Sequence, residues 1–122
     1  MPRLSLLLAT AFWCAGSLLA QAPAGGGRVY VVSYIDANPQ TAADASKALT
    51  QFAQDSRKDA GSVRFEVFRD IARANHFTMV ESWQSREAYE KHLAQDYAKR
   101  FREKMQPYLG SPFDERLYFL LE

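Results

Sequence analysis

Glu81-Ser82-Trp83-Gln84-Ser85-Arg86-Glu87-Ala88-Tyr89-Glu90-Lys91-His92 is the stretch whose reading decides the fold. Asn75 to Trp83 alternates in the manner of a strand, and Trp83 closes that run. Gln84 makes a corner. Ser85 then offers a hydroxyl to an orphan N–H of a first helical turn, and Glu87 suits the positive end of the helix dipole. The helix that follows carries Ala88, Tyr89, His92 and Leu93 on one side. A carboxylate, an indole and an imidazole are thereby gathered at one corner of a small sheet, and chemistry is expected there.

Working outward, Ser62–Asp70 alternates, with Val63, Phe65 and Val67 on one face and Arg64, Glu66 and Phe68 on the other. It reads as a strand joined to the next by a hairpin through Ile71–Ala74. Arg28–Asp36 is rich in β-branched and aromatic residues and reads as another strand. Asn38-Pro39 punctuates it and suits the start of a helix. From Thr41 to Asp59 the residues Ala45, Leu49, Phe52, Ala53 and Ala60 form one apolar stripe, and Gly61 is a natural terminator. The helix begun at Ser85 reads as reaching about Tyr108 with room for a break; Tyr89, Leu93, Tyr97, Phe101 and Met105 are its stripe. Arg116–Leu121 is a last strand. The order β-α-β-β-α-β predicts an α+β, ferredoxin-like antiparallel sheet with helices on one face. The other face is expected to hold several of Tyr30, Tyr34, Phe68, Met79 and Trp83. That surface is too apolar for water and predicts a homodimer with a shared barrel-like interior.

Residues 1–24 read as a signal peptide: Arg3, an apolar run from Leu4 to Leu19, and small-x-small sites ending at Ala22 or Ala24. A retained anchor is the alternative. Residues 25–27 read as a linker, and 28–122 as one domain of ordinary size. Without Arg3, the only charge in the leader, basic and acidic residues both number 14, and without Cys14 no cysteine is left. An exported, periplasmic or secreted chain of this kind must be held by its core, not by disulfides. Its neutrality argues against nucleic acid or an electrostatic membrane dock as partner. No membrane span is expected once the leader is gone. Two histidines and no mature cysteine make a zinc site improbable.

Phe65-Glu66-Val67-Phe68-Arg69-Asp70, the hairpin, and Glu81-Ser82-Trp83-Gln84-Ser85 with Glu87-Ala88 and His92 together resemble the antibiotic biosynthesis monooxygenase family, over nearly all of Val29 to Leu120. The resemblance implies a dimeric α+β barrel and a quinol monooxygenase-like activity: oxygenation of a quinol or related polycyclic phenol, with dioxygen and without a cofactor or metal. A deprotonated quinol can reduce oxygen itself, so such a protein needs a base, a pocket and a dry site. His92 has the free pKa that suits the base. Glu81 and Tyr34 would orient hydroxyl groups, and Trp83, Phe68, Met79 and Tyr97 would wall the substrate. Where quinol-oxygenating relatives often carry a second histidine this chain has Tyr97. Where the haem-degrading branch places its axial histidine it has Phe101 or Arg102.

Each of these residues also has a plainer reading. His92 can be a packing residue bonded to Glu81 or a carbonyl. His76 lies opposite Phe77 and Met79 and reads as a surface or helix-facing residue. Tyr89, Tyr97 and Phe101 suit a core, and Lys99, Arg100, Arg102 and Lys104 a solvated helix side. A monooxygenase predicts an enclosed pocket reaching His92. A non-catalytic exported module binding an aromatic or lipophilic ligand is the alternative, and an isomerase or decarboxylating enzyme using the same base without oxygen is a third.

Overall fold

The structure, a computed structural model, describes residues 27–121. The signal-peptide expectation and most of the linker fall outside them. Strand β1 (Val29–Asp36) is followed by helix α1 (Ala42–Ser56), the hairpin β2 (Ser62–Arg69) and β3 (His76–Trp83), helices α2 (Arg86–Leu93) and α3 (Asp96–Met105), and β4 (Asp114–Phe119). The four strands form one sheet in the order β2-β3-β1-β4, each neighbouring pair antiparallel. The predicted order and fold class are both present.

Alternation fixes the faces. Val29, Val31 and Ile35 of β1, Phe65 of β2, and Phe77, Met79 and Trp83 of β3 are buried with Leu49, Phe52, Ala53, Tyr89, Phe101 and Met105 of the helices. Tyr34 and Phe68, 45% and 47% exposed, lie on the uncovered face. The expectation that Met79 and Trp83 share that face is therefore wrong. Met79 is opposite Ser33, and Tyr34 is opposite Thr78, so the two sets have opposite parity. An alternating strand cannot present both on one side.

Three boundaries also shift. Helix α1 ends at Ser56, whose hydroxyl bonds the Phe52 carbonyl at 2.6 Å, and tight turns then carry the chain to Gly61. Gly61 has φ +83°, the left-handed conformation expected of a terminator, and a Cβ there would stand 2.5 Å from the Ala88 Cβ. Asn38 does not cap the helix with its side chain; its amide instead donates to the Leu109 carbonyl at 3.1 Å. Strand β4 begins and ends two residues earlier than expected. Gly110 N–H donates to the Asp36 carbonyl at 2.8 Å and pins its entry beside β1.

Candidate active site

The hairpin and the helix it launches place the site. Ser85 caps α2 as its sequence foretold, its hydroxyl accepting from the Ala88 N–H at 3.1 Å. This sets His92 nearly two turns on, over the face of Trp83, with ring centroids 4.5 Å apart. The anticipated break falls at Ala94–Gln95, where Gln95 is extended and starts α3. In a straight helix Tyr97 would point about 140° away from His92. The bend cancels that rotation, and the Tyr97 hydroxyl lies 3.1 Å from His92 Nδ1.

The third member comes from elsewhere in the chain. The turn after α1 carries Asp59 inward, its Oδ2 2.8 Å from His92 Nδ1. Tyr97 donates its hydroxyl proton to the same oxygen. In the tautomer with the ring proton on His92 Nδ1, the Asp59 oxygen receives two hydrogen bonds and the imidazole's lone pair is on Nε2. Burial holds the His92 pKa below its ordinary value, with Asp59 pulling the other way. The ring is neutral at pH 7. Burial and the bond to Asp59 raise the Tyr97 hydroxyl, which keeps its proton.

A second cluster lies beyond Trp83. The indole N–H donates to Glu81 Oε2 at 2.9 Å. Glu81 is 2% exposed, and burial, with Glu115 adding to it against the Trp83 bond, pushes its pKa up to about 7. Tyr89 donates to Glu115, which also receives Arg102 at 2.7 Å. Burial and that carboxylate raise the Tyr89 hydroxyl.

The structure thus brings together His92, Tyr97 and Trp83, with Glu81 on the far edge of the indole and Met79 in the adjoining core. It does not bring Tyr34 or Phe68 to them, because the sheet lies between. Nor is Glu81 the partner of His92; Asp59 is. Sequence reasoning missed Asp59, whose only local signal was its place just before Gly61. His76 pairs with Asp36 at the other end of the sheet. Among the described residues no three His, Cys, Asp or Glu side chains converge as metal ligands.

His92 is sealed, 2% exposed among Trp83, Phe65, Phe52 and Tyr89. None of the described cavities is lined by it, so the expected pocket reaching His92 is not among them. One cavity stops a residue short. An open groove of about 350 Å³ runs between α1 and α3, lined by Ala48, Gln51, Phe52 and Asp55 on one bank and Tyr97, Arg100, Phe101 and Lys104 on the other. Tyr97 stands in its wall and reaches inward to Asp59 and His92. Arg100 and Lys104, read from sequence as solvated, are on its rim, and Arg102 is engaged with Glu115.

A β-α-β-β-α-β chain whose sheet is helix-covered on one face, with a polar cluster between helices and sheet, defines a ferredoxin-like α+β domain. The chain belongs to the antibiotic biosynthesis monooxygenase family, whose model matches residues 28–104. It is 30% identical over 76 residues to an uncharacterized Synechocystis sp. protein, sll1783, covering 62% of this chain and 52% of that one. It thus spans about half the length of that relative. It is 23% identical over 86 residues to YcnE of Bacillus subtilis, provisionally named a monooxygenase, covering 70% of this chain and 90% of that one. The solved structure of a provisionally named antibiotic biosynthesis monooxygenase from Nitrosomonas europaea superposes with a TM-score of 0.74 at 16% identity, over 79% of this chain and 92% of the other. At that identity the likeness speaks for the fold alone.

Proposed function

We propose that this chain is a cofactor-independent monooxygenase acting on a quinol or related phenolic aromatic, with the groove between α1 and α3 as its entrance. The observation that carries this reading is Tyr97, which is at once groove wall and hydrogen-bond partner of Asp59 and His92. A substrate hydroxyl at that wall hands its proton to the Tyr97 oxygen as the tyrosine proton moves to Asp59 Oδ2. His92, neutral and hydrogen-bonded through Nδ1, holds the carboxylate in place. It is thus a positioning partner in the base assembly and not the first acceptor. The phenolate left behind reduces dioxygen with four of the substrate's own electrons: a ring C–H becomes a quinone C=O, and the second oxygen leaves as water with the two hydrogens the substrate gives up.

The uncovered sheet face carries Tyr34 and Phe68, and Arg116 lies over the Tyr34 ring at 5.3 Å; two copies packed face to face would bury this surface. The leader would direct export to the periplasm or medium. Among the described residues no helix is long and apolar enough to cross a membrane.

The test is oxygen uptake over a panel of quinols and phenols, comparing the purified protein with Asp59→Asn, Tyr97→Phe and His92→Gln, each checked for folding. Loss of a general base lowers the rate by about 10²- to 10⁴-fold, and that loss is expected for Asp59→Asn. Equal uptake in all four proteins would remove the assembly from the mechanism. Turnover that persists without oxygen would assign an isomerase or decarboxylating enzyme instead. The sealing of His92 favours a second reading, a ligand-binding module without catalysis, which predicts no uptake on the whole panel.

A further inference from the structure

The groove has a charge pattern that a neutral quinol does not use. Its floor is apolar: Phe52 and Phe101 stack with ring centroids 3.8 Å apart and planes 2° from parallel, beside Ala48, whose small side chain leaves the space open. Its rim is not balanced. Arg100 and Lys104 are four residues apart on α3, so both cations stand on one helix face. Among the described residues neither forms an ion pair. Asp55 across the groove already has Lys58 at 3.7 Å and accepts the Gln51 amide at 3.2 Å. Like charges at this spacing repel unless something anionic sits between or opposite them. Tyr97, whose hydroxyl reaches inward to Asp59 and His92, lines the same groove.

We propose that the ligand of this groove is an anionic hydroxyaromatic, a planar phenol carrying a carboxylate. This deepens the monooxygenase reading and rests on it for the fate of the phenol. The ring lies against Phe52 and Phe101, the carboxylate meets Arg100 and Lys104 at the rim, and the hydroxyl points to Tyr97. A guanidinium receives a carboxylate through two parallel N–H bonds, and an ammonium adds a point charge. The two anchors fix which end of the ring faces the proton acceptor.

Binding of 6-hydroxy-2-naphthoate and of its methyl ester, which differ by one charge, tests this on the full-length protein by calorimetry at low salt. The acid is expected to bind roughly threefold to thirtyfold more tightly, the range for two solvent-screened ion pairs. That ratio is expected to fall toward unity in Arg100→Gln/Lys104→Gln and at high salt, while Ala48→Leu, which fills the floor, weakens both ligands. Equal binding of acid and ester, a ratio unmoved in the double variant, or no binding of either would overturn the proposal. Charge-selective binding without oxygen uptake on phenolic acids would instead strike the monooxygenase reading and leave the groove assignment standing. Oxygen uptake indifferent to the rim variant would do the reverse.

Discussion

Glu81→Gln should make the protein more stable at neutral pH, and increasingly so as pH rises. Glu81 is 2% exposed, with Trp83 Nε1 donating to it at 2.9 Å. Burial moves its pKa from 4.5 to about 7. Between those values the folded protein holds a proton that the unfolded chain has released. The native state then binds more protons, so unfolding free energy falls as pH rises through this window and levels off above it. At 1.36 kcal/mol for each pKa unit, the loss amounts to about 3 kcal/mol. Glutamine is neutral at every pH and its carbonyl can still accept from Trp83, although its second amide proton needs a partner. The variant is expected to match the wild type, or fall slightly below it, near pH 4.5, and to gain about 2–3 kcal/mol on it by pH 8. Other groups shape each curve. His92, with its pKa lowered, removes stability as pH falls through the unfolded histidine range. Subtracting one protein's curve from the other cancels that contribution. Urea unfolding followed by circular dichroism, from pH 4.5 to 8, measures the difference. A difference that is flat with pH would refute the assignment of a buried, protonated Glu81.

Gly61→Ala meets both a left-handed backbone and a Cβ 2.5 Å from that of Ala88, and should cost about 2–4 kcal/mol in urea unfolding. Combining it with Ala88→Gly should recover the contact part but not the backbone part; strict additivity would show that the clash is not felt. Phe68→Asp puts a charge on the uncovered sheet face where Phe68 is 47% exposed, and on the proposed face-to-face pairing should shift sedimentation equilibrium from dimer to monomer. An unchanged mass would exclude that face as the dimer contact.

The sequence by itself determined what depends on near neighbours. Ser85 caps a helix because the N–H it bonds is three residues away, and Gly61 suits the end of a turn because a positive φ is a local demand that glycine meets. The alternation of β2 and β3 and the stripe of α1 were legible for the same reason, and from them the element order and fold class. His92 could be placed on the inner side of α2 from spacing alone. The tertiary structure decided whatever joins distant segments. Met79 and Trp83 face the helices and Tyr34 and Phe68 do not, because the register between β1 and β3 sets relative parity, and a slip of one residue would reverse it. Asp59 became the partner of His92 although 33 residues separate them, since the turn after α1 and the end of α2 meet only when both pack on the sheet. Tyr97 reached the same oxygen because a bend replaced a continuous helix. Glu81 gained its raised pKa from surroundings that exist only once the core has closed. Local chemistry chose the elements, and long-range packing chose which side chains share an interior, because desolvation and hydrogen-bond partnership belong to the folded space and not to the chain.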